Sequence, residues 1–209
     1  MDIIVGLGEI GSNIAKLLKE SERAVCGFDK DPKLSFGEPR DIVLMHVCMP
    51  YSNNFVREVL EYYQRWKPRG TVIHSTVKPG TTKAINEKIP KGNLVYSPIR
   101  GVHSRMLEDM KRYTKFYSSY SKTSGKLFEE CFKNDCNLKI DKYSSPFALE
   151  MAKILIDTSY YGWIIAYGQL VDKVCHSNGI DYDEIWRFAT EINAFIGNRP
   201  KTYVDPKGI

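Results

Sequence analysis

The sequence predicts an α/β protein, with a doubly wound, mainly parallel sheet followed by a small all-helical part. Three observations carry this reading. Short β-rich runs alternate with helical patterns over the first 140 or so residues, as repeated βαβ units require. The strand runs are continuously apolar rather than alternating, as expected of strands covered on both faces. From Ser145 the pattern changes to one long helical stretch with no strand signal.

The elements follow in order. "DIIVG" leads into a helix over 9–20, then "RAVCGFD" and "DIVLMHVCMP" give two further strands. Helices over 53–66 and 80–88 flank the strand "GTVIHST", and "NLVYSP" closes the series. "KFYSSY", a helix over 123–133 and "NLKI" are expected to extend the same sheet. The link from Asp29 to Asp41 carries Pro32, Gly37 and Pro39. It is too short and too broken for a crossover helix, so the side of any ligand pocket that this link would wall should be pared down. "SPFALEMAKILIDTSYYGWIIAYGQLVDKVCHSNG" opens on a serine N-cap with proline in the first turn and closes at Asn178-Gly179. An uninterrupted α-helix of that length would run about 48 Å. Apolar residues nearly encircle it between Ile154 and Val174, so it needs cover from other helices or a second subunit. A short helix over 181–191 and an irregular tail, "GNRPKTYVDPKGI", complete the chain. The expected domains are 1–143 and 144–209.

Composition narrows the function classes. With 43% hydrophobic and 26% charged residues the chain reads as an ordinary globular protein rather than a disordered one. No apolar run reaches the roughly 18 residues of a membrane span, and the immediate first strand leaves no room for a signal peptide. Cys26, Cys48, Cys131, Cys136 and Cys175 are odd in number and scattered, which suits a reducing cytoplasm better than a disulfide framework. Cys131 and Cys136 lie five apart with no second pair or histidine nearby in sequence, so no metal is expected. The net charge is +5, with ten Lys/Arg against six Asp/Glu between Arg100 and Lys142. That bias suits an anionic small ligand. With no basic run, zinc module or stacking motif, no nucleic-acid partner is expected.

The stretch "VGLGEIG" carries the first chemistry. Gly6, Gly8 and Gly11 fit G-x-G-x-x-G between a strand and a helix, and Asp29 ends the next strand 18 residues after Gly11. In this Rossmann-type context Gly6 makes the tight turn, Gly8 admits a pyrophosphate, and Gly11 lets helix and strand pack closely. Backbone N–H groups at Glu9, Ile10 and Gly11 face the phosphates at a helix N-terminus. Asp29 would accept hydrogen bonds from the adenosine ribose and repel a 2′-phosphate, which favours NAD over NADP. The basic neighbours Lys30, itself a candidate cofactor contact, and Lys33 weigh the other way.

"HSTVKPGTT" (74–82) also follows a strand and precedes a helix, which puts it at the carboxyl edge where nicotinamide and substrate would meet. Ser75 and Thr76 offer hydroxyls there, although an ordinary strand–helix turn has the same look. Farther on, Glu150, Lys153 and Asp157 lie at helical spacing. Lys153 and Asp157, i and i+4, could form an ion pair worth about 0.2–0.5 kcal/mol. Such a partner favours the ammonium form, suited to stabilising an alkoxide or oxyanion.

"GLGEIG", "HSTVKPGTT", "YSPIRG" and "LEMAKILIDTSYYGWIIAYGQLVDKVCHSNGIDYDEI", in this order and spacing, resemble the UDP-glucose/GDP-mannose dehydrogenase family of the 6-phosphogluconate and 3-hydroxyacid dehydrogenase superfamily. The resemblance spans that family's NAD domain and central helical domain. It implies that Thr76 helps position a catalytic water and that Lys153 assists oxidation of the substrate alcohol, with Glu150 the acid one turn earlier. It also implies that the long helix forms the core of a homodimer. Asp157 departs from the family's asparagine, and Ile99 and His103 stand where glutamates are usual after "SP". The family's nucleophilic cysteine lies in a loop that "VDPKGI" approaches, and neither that cysteine nor the nucleotide-binding third domain falls within residues 1–209.

The resulting expectation is a cytoplasmic NAD-dependent oxidoreductase moving a hydride from a CH–OH group of an anionic substrate, a nucleotide sugar or hydroxyacid. The alternative is a catalytically lapsed NAD-binding or assembly module, a truncated relative or part of a split enzyme.

Overall fold

The computed structural model describes residues 1–89, 92–101 and 103–196; the tail expected to be irregular, and the side chain of His103, lie outside the described residues. Its centre is a seven-stranded sheet in the order β2-β1-β3-β4-β5-β6-β7. Strands β1 (Asp2–Val5), β2 (Val25–Phe28), β3 (Leu44–Val47), β4 (Gly70–Ile73) and β5 (Leu94–Tyr96) are mutually parallel. Strand β6 (Lys115–Ser119) runs antiparallel to β5 and β7 (Ile140–Lys142) parallel to β6. The α/β, mainly parallel, doubly wound architecture is therefore present. The last strand begins at Ile140, the final residue of "NLKI", and runs on to Lys142.

The side chains of β1, β3 and β4 alternate between two helical layers, which explains why these strands are apolar throughout. On one face Ile4, Leu44, Val72 and Val95 pack under Ile14, Leu17 and Leu18 of α1 (Glu9–Glu20), and under Phe128 of α5 (Lys122–Glu129). On the other, Ile3, Val5, Met45 and Ile73 meet Phe55 and Val59 of α2 (Phe55–Trp66) and Ile85 of α3 (Thr81–Asn86). Leu149 of α6 (Pro146–Ala152) joins this second layer. Each fully buried aliphatic or aromatic side chain contributes about 1.5–3 kcal/mol.

The short link after β2 forms no helix. Instead Phe36 folds back to bridge Gly27, with Gly27 N–H donating to the Phe36 carbonyl at 2.8 Å and Phe36 N–H returning at 3.0 Å. Strand β2 is thus the edge of the sheet. The chain reverses direction across the sheet between β1 and β3, the position where α/β folds bind ligands beyond the strand ends.

Two helical features depart from the sequence pattern. A one-turn 3₁₀ segment at His103–Arg105 and α4 (Met106–Arg112) were not expected; α4 is short, lacks a capping side chain, and is held by burial of Met106 and Met110. The long helix begins and ends as its caps foretell. Ser145 Oγ accepts from Ala148 N–H at 3.1 Å, and Gly179 closes the C-terminus at φ 65°. It is not one α-helix, however, because Lys153–Tyr160 is a π-helical segment between α6 and α7 (Tyr161–Asn178). Helix α5 likewise runs into a π segment, Glu130–Asp135, where Cys136 N–H reaches the Cys131 carbonyl at 3.0 Å. An inserted residue in a helical turn leaves hydrophobic periodicity almost unchanged, so the sequence pattern did not reveal either.

The chain divides into two compact units, Met1–Thr158 and the part from Ser159 onward. In the second, α7 and α8 (Tyr182–Ile196) meet through Tyr167 and Trp186, ring centroids 6.3 Å apart. Helix α8 extends five residues past the expected end at 191. Trp163, Ile165, Tyr167 and Leu170 of α7 are more than half exposed. No helix among the described residues is long and apolar enough to cross a membrane.

Candidate dinucleotide and substrate site

The glycine loop joins β1 to α1 beside the switch in strand order. Gly6 has φ 88°, and a Cβ there would stand 2.9 Å from the Met49 nitrogen. A Cβ on Gly11 would sit 1.8 Å from the Gly6 carbonyl oxygen, so no other residue allows α1 to start this close to β1. Gly8 differs. A Cβ there would touch nothing within 4 Å, so the position opens on free space large enough for a ligand to approach the backbone. Glu9 is exposed and starts α1, where the first N–H groups have no intrahelical acceptor. Ile10 is half-buried against the core under α1.

Asp29 follows β2 and turns back onto the loop. Its Oδ2 accepts from Leu7 N–H at 2.6 Å and its Oδ1 from Asp31 N–H at 3.0 Å. The carboxylate is therefore oriented from both sides, with lone pairs left for a further donor. Lys30 leans to α2, where its Nζ lies 3.0 Å from Glu58 Oε1.

The loop after β4 separates its two hydroxyls. Ser75 is buried and donates to the Met49 carbonyl at 2.6 Å, tying the ends of β3 and β4 together, whereas Thr76 is exposed. The loop ends at Gly80, φ 91°, which caps α3.

Glu150 holds this cap. Its Oε2 accepts from Gly80 N–H at 2.6 Å and its Oε1 from Thr82 N–H at 2.9 Å, with the side chain fully buried. A carboxylate at a helix N-terminus takes the otherwise unpartnered N–H groups, in charge-assisted bonds. Both oxygens face backbone donors rather than an opening. The sequence, which grouped Glu150 with Lys153, carried no local sign of a cap supplied from about 70 residues away.

One turn on, Lys153 Nζ donates to the Ile99 carbonyl at 2.8 Å and to the Asp157 carboxylate. Ile99 N–H in turn reaches the His74 carbonyl at 3.3 Å. Ile99 thus enters the site through its backbone. Lys153 and Asp157 are brought together, and Lys153 is fastened to the loop leaving β5 at the carboxyl edge.

Sequence reasoning missed a line of buried polar groups beneath α1 and α5. Arg23 Nε donates to Asp2 Oδ2 at 2.7 Å. His46 Nδ1 lies 3.0 Å from His74 Nε2, and His74 Nδ1 lies 2.9 Å from the Ser97 carbonyl. Lys115 Nζ ends the line, 3.4 Å from that carbonyl and 4.8 Å from the Phe132 ring centroid. Burial pushes the Lys115 ammonium down to about 7. Burial also holds His74 well below the usual histidine range, with Lys115 and His46 acting in the same direction. The alternation of strands could have hinted at this, since Asp2 and His46 occupy the same face as Ile4 and Leu44.

No protein-family model matches the chain, and no curated protein matches it in sequence. Its fold is similar to a UDP-D-ManNAc dehydrogenase from Pyrococcus horikoshii, with TM-score 0.76 and 17% identity over 91% of this chain and 58% of that one. A GDP-mannose dehydrogenase from Pseudomonas aeruginosa gives TM-score 0.73 and 18% identity over 91% and 57%. A 3-hydroxyisobutyrate dehydrogenase from Mycobacterium tuberculosis gives TM-score 0.68 and 15% identity over 94% and 71%. The chain spans 58% of the first of these proteins. At such identities the likeness establishes a dehydrogenase-like fold.

Proposed function

We propose that the protein is an NAD-dependent oxidoreductase related to the nucleotide-sugar dehydrogenases, acting on a CH–OH group of an anionic substrate. The observation that carries the reading is the pairing of an open glycine loop at the strand-order switch with a lysine anchored at the same edge of the sheet. The residues present fit a dinucleotide. Gly8 leaves room beside the N-terminus of α1, and Asp29 keeps acceptor capacity for a ribose hydroxyl. Bound NAD would supply the hydride acceptor. Lys153, charged beside Asp157, would stabilise the alkoxide as the hydroxyl proton is lost. Thr76, exposed on its loop, would orient the substrate or a water, and Ser75 would hold that loop against β3. Glu150 is a positioning residue on this reading, since it fastens the 74–82 loop to the helix bearing Lys153. The family's second oxidation needs a cysteine nucleophile. None of the five cysteines is at a matching position, so residues 1–209 by themselves would carry the groups for the first hydride transfer, to an aldehyde or ketone with one NADH.

The helical part from residue 144 would serve as the dimerisation domain, with Tyr160, Trp163, Ile164 and Tyr167 buried between two copies. A cytoplasmic location fits the cofactor. The second reading, a lapsed NAD-binding or assembly module, is favoured by the apolar Ile99 where the family carries an acid.

The test is NADH production by the isolated chain with UDP-glucose, UDP-N-acetyl sugars, GDP-mannose and small 3-hydroxyacids, beside calorimetry with NAD. Turnover abolished in Lys153→Ala, with NAD affinity retained, is the expected result. NAD binding without turnover on any substrate would leave the lapsed module, and no NAD binding would defeat both readings.

A further inference from the structure

The strongest feature outside that site is the end of the buried polar line, where Asp2, His46 and Cys131 converge. Their ligand atoms, a carboxylate oxygen, an imidazole nitrogen and a thiol sulfur, all lie within 4.8 Å of one another, and all three residues are fully buried. Nothing in the spacing of Asp2, His46 and Cys131 along the chain suggests a common site. They meet because Asp2 and His46 point to one face of the sheet and the π segment after α5 lays Cys131 over that face.

The histidine chain determines what His46 offers. The Ser97 carbonyl only accepts, so His74 Nδ1, 2.9 Å away, carries the proton there. In a neutral ring His74 Nε2 is then a lone pair, and His46 Nδ1 must donate to it across 3.0 Å. Both rings are fully buried, where the doubly protonated form is disfavoured. His46 Nε2 is left as a lone pair. It has no hydrogen-bond partner, and it lies 3.8 Å from Asp2 Oδ2, itself only an acceptor. Two acceptors face each other beside a thiol. This arrangement leaves a buried polar atom unsatisfied, at a cost that a cation between the groups would remove.

We propose that Asp2, His46 and Cys131 bind a single thiophilic divalent ion, Zn²⁺ by the chemistry of the donors. The ligand set mixes nitrogen, oxygen and sulfur as zinc sites do. The His46 Nδ1–H to His74 bond, backed by His74 to Ser97, is the outer-shell support that fixes a ligating imidazole. Cys136, whose backbone N–H bonds to the Cys131 carbonyl at the end of the same π segment, would swing in as the fourth ligand. Bond lengths of about 2.0–2.3 Å require the three groups to close by about 1 Å, which rotations of Cys131 and Asp2 provide. Arg23 Nε must leave Asp2 Oδ2, and its second partner, Asp135, remains for it. Asp2 Oδ1 keeps its bond from Leu44 N–H. On binding, the two thiols each lose a proton to solvent and form a metal–sulfur bond; no electron is transferred. The charge of the ion and Arg23 then equals that of the carboxylate and two thiolates.

The experiment is an anaerobic titration of the chelator-treated chain with Co²⁺, followed by Zn²⁺. One equivalent should raise a thiolate-to-cobalt charge-transfer band and tetrahedral d–d bands, and Zn²⁺ should bleach both. His46→Asn should weaken affinity by more than the roughly 10–100-fold that loss of an outer-shell partner costs. Cys136→Ser should roughly halve the charge-transfer band, and Cys131→Ser should abolish the site. Circular dichroism of each metal-free variant checks that it folds. The proposal fails if the native chain binds neither ion at one equivalent, or if the folded His46→Asn variant binds as tightly as the native chain.

Discussion

Replacing Lys115 by methionine should stabilise the protein at neutral pH, against the usual direction of a core substitution. Lys115 opens β6, and its amine lies among His74, the Ser97 carbonyl and the Phe132 ring. Burial lowers its folded pKa from an ordinary 10.5 to about 7. Between these values the unfolded chain holds a proton that the folded chain has released, so stability must rise with pH across that window. Below about pH 7 both states are protonated and the cost of burying the charge is carried in full. At about 1.36 kcal/mol per pKa unit, the drop to about 7 bounds that cost at about 5 kcal/mol. A cavity of about 20 Å³ borders Lys115, lined also by Ile14, Leu17 and Asp109, with room for one water, and this reduces the figure. Methionine has similar length and no charge, and it forfeits only long polar contacts to the Ser97 carbonyl and His74 and two cation–π contacts. We expect Lys115→Met to gain about 2–4 kcal/mol at pH 7, shrinking toward zero by about pH 10. Urea unfolding midpoints across this range, in chelating buffer, measure it. A gain independent of pH, or destabilisation at every pH, would show that burying the Lys115 charge carries no such cost.

Three further outcomes test the site and the surface. Glu150→Gln should cost about 1–3 kcal/mol in unfolding free energy, because an amide cannot accept with two oxygens from Gly80 and Thr82 N–H as the carboxylate does; an unchanged midpoint would remove the cap from the argument. Calorimetry should show NAD bound more tightly than NADP, with the preference shrinking in Asp29→Ala, and equal binding by the native chain would end the ribose assignment. The native chain should scatter light as a dimer at micromolar concentration, and Trp163→Asp, at a site 74% exposed in the single chain, should give monomers; a monomeric native chain would contradict the proposed interface.

The readable part of this protein is the part whose physics is local. The doubly wound sheet follows from apolar runs at strand length, and the missing crossover helix from the Pro/Gly-broken link after Asp29. Gly6 and Gly11 are legible because their requirements, a positive φ and a close backbone contact, concern residues a few positions away. Ser145 and Gly179 announce helix ends for the same reason. Tertiary structure alone decided that Glu150 caps a helix about 70 residues away, that Lys153 fastens to Ile99, and that His46 meets Cys131. A buried polar group must find its partner wherever the fold brings one, and that partner leaves no mark on the spacing of its own segment. The π turns at Lys153 and Glu130 belong with these, since one extra residue in a turn redirects side chains without disturbing the apolar pattern from which helices are read.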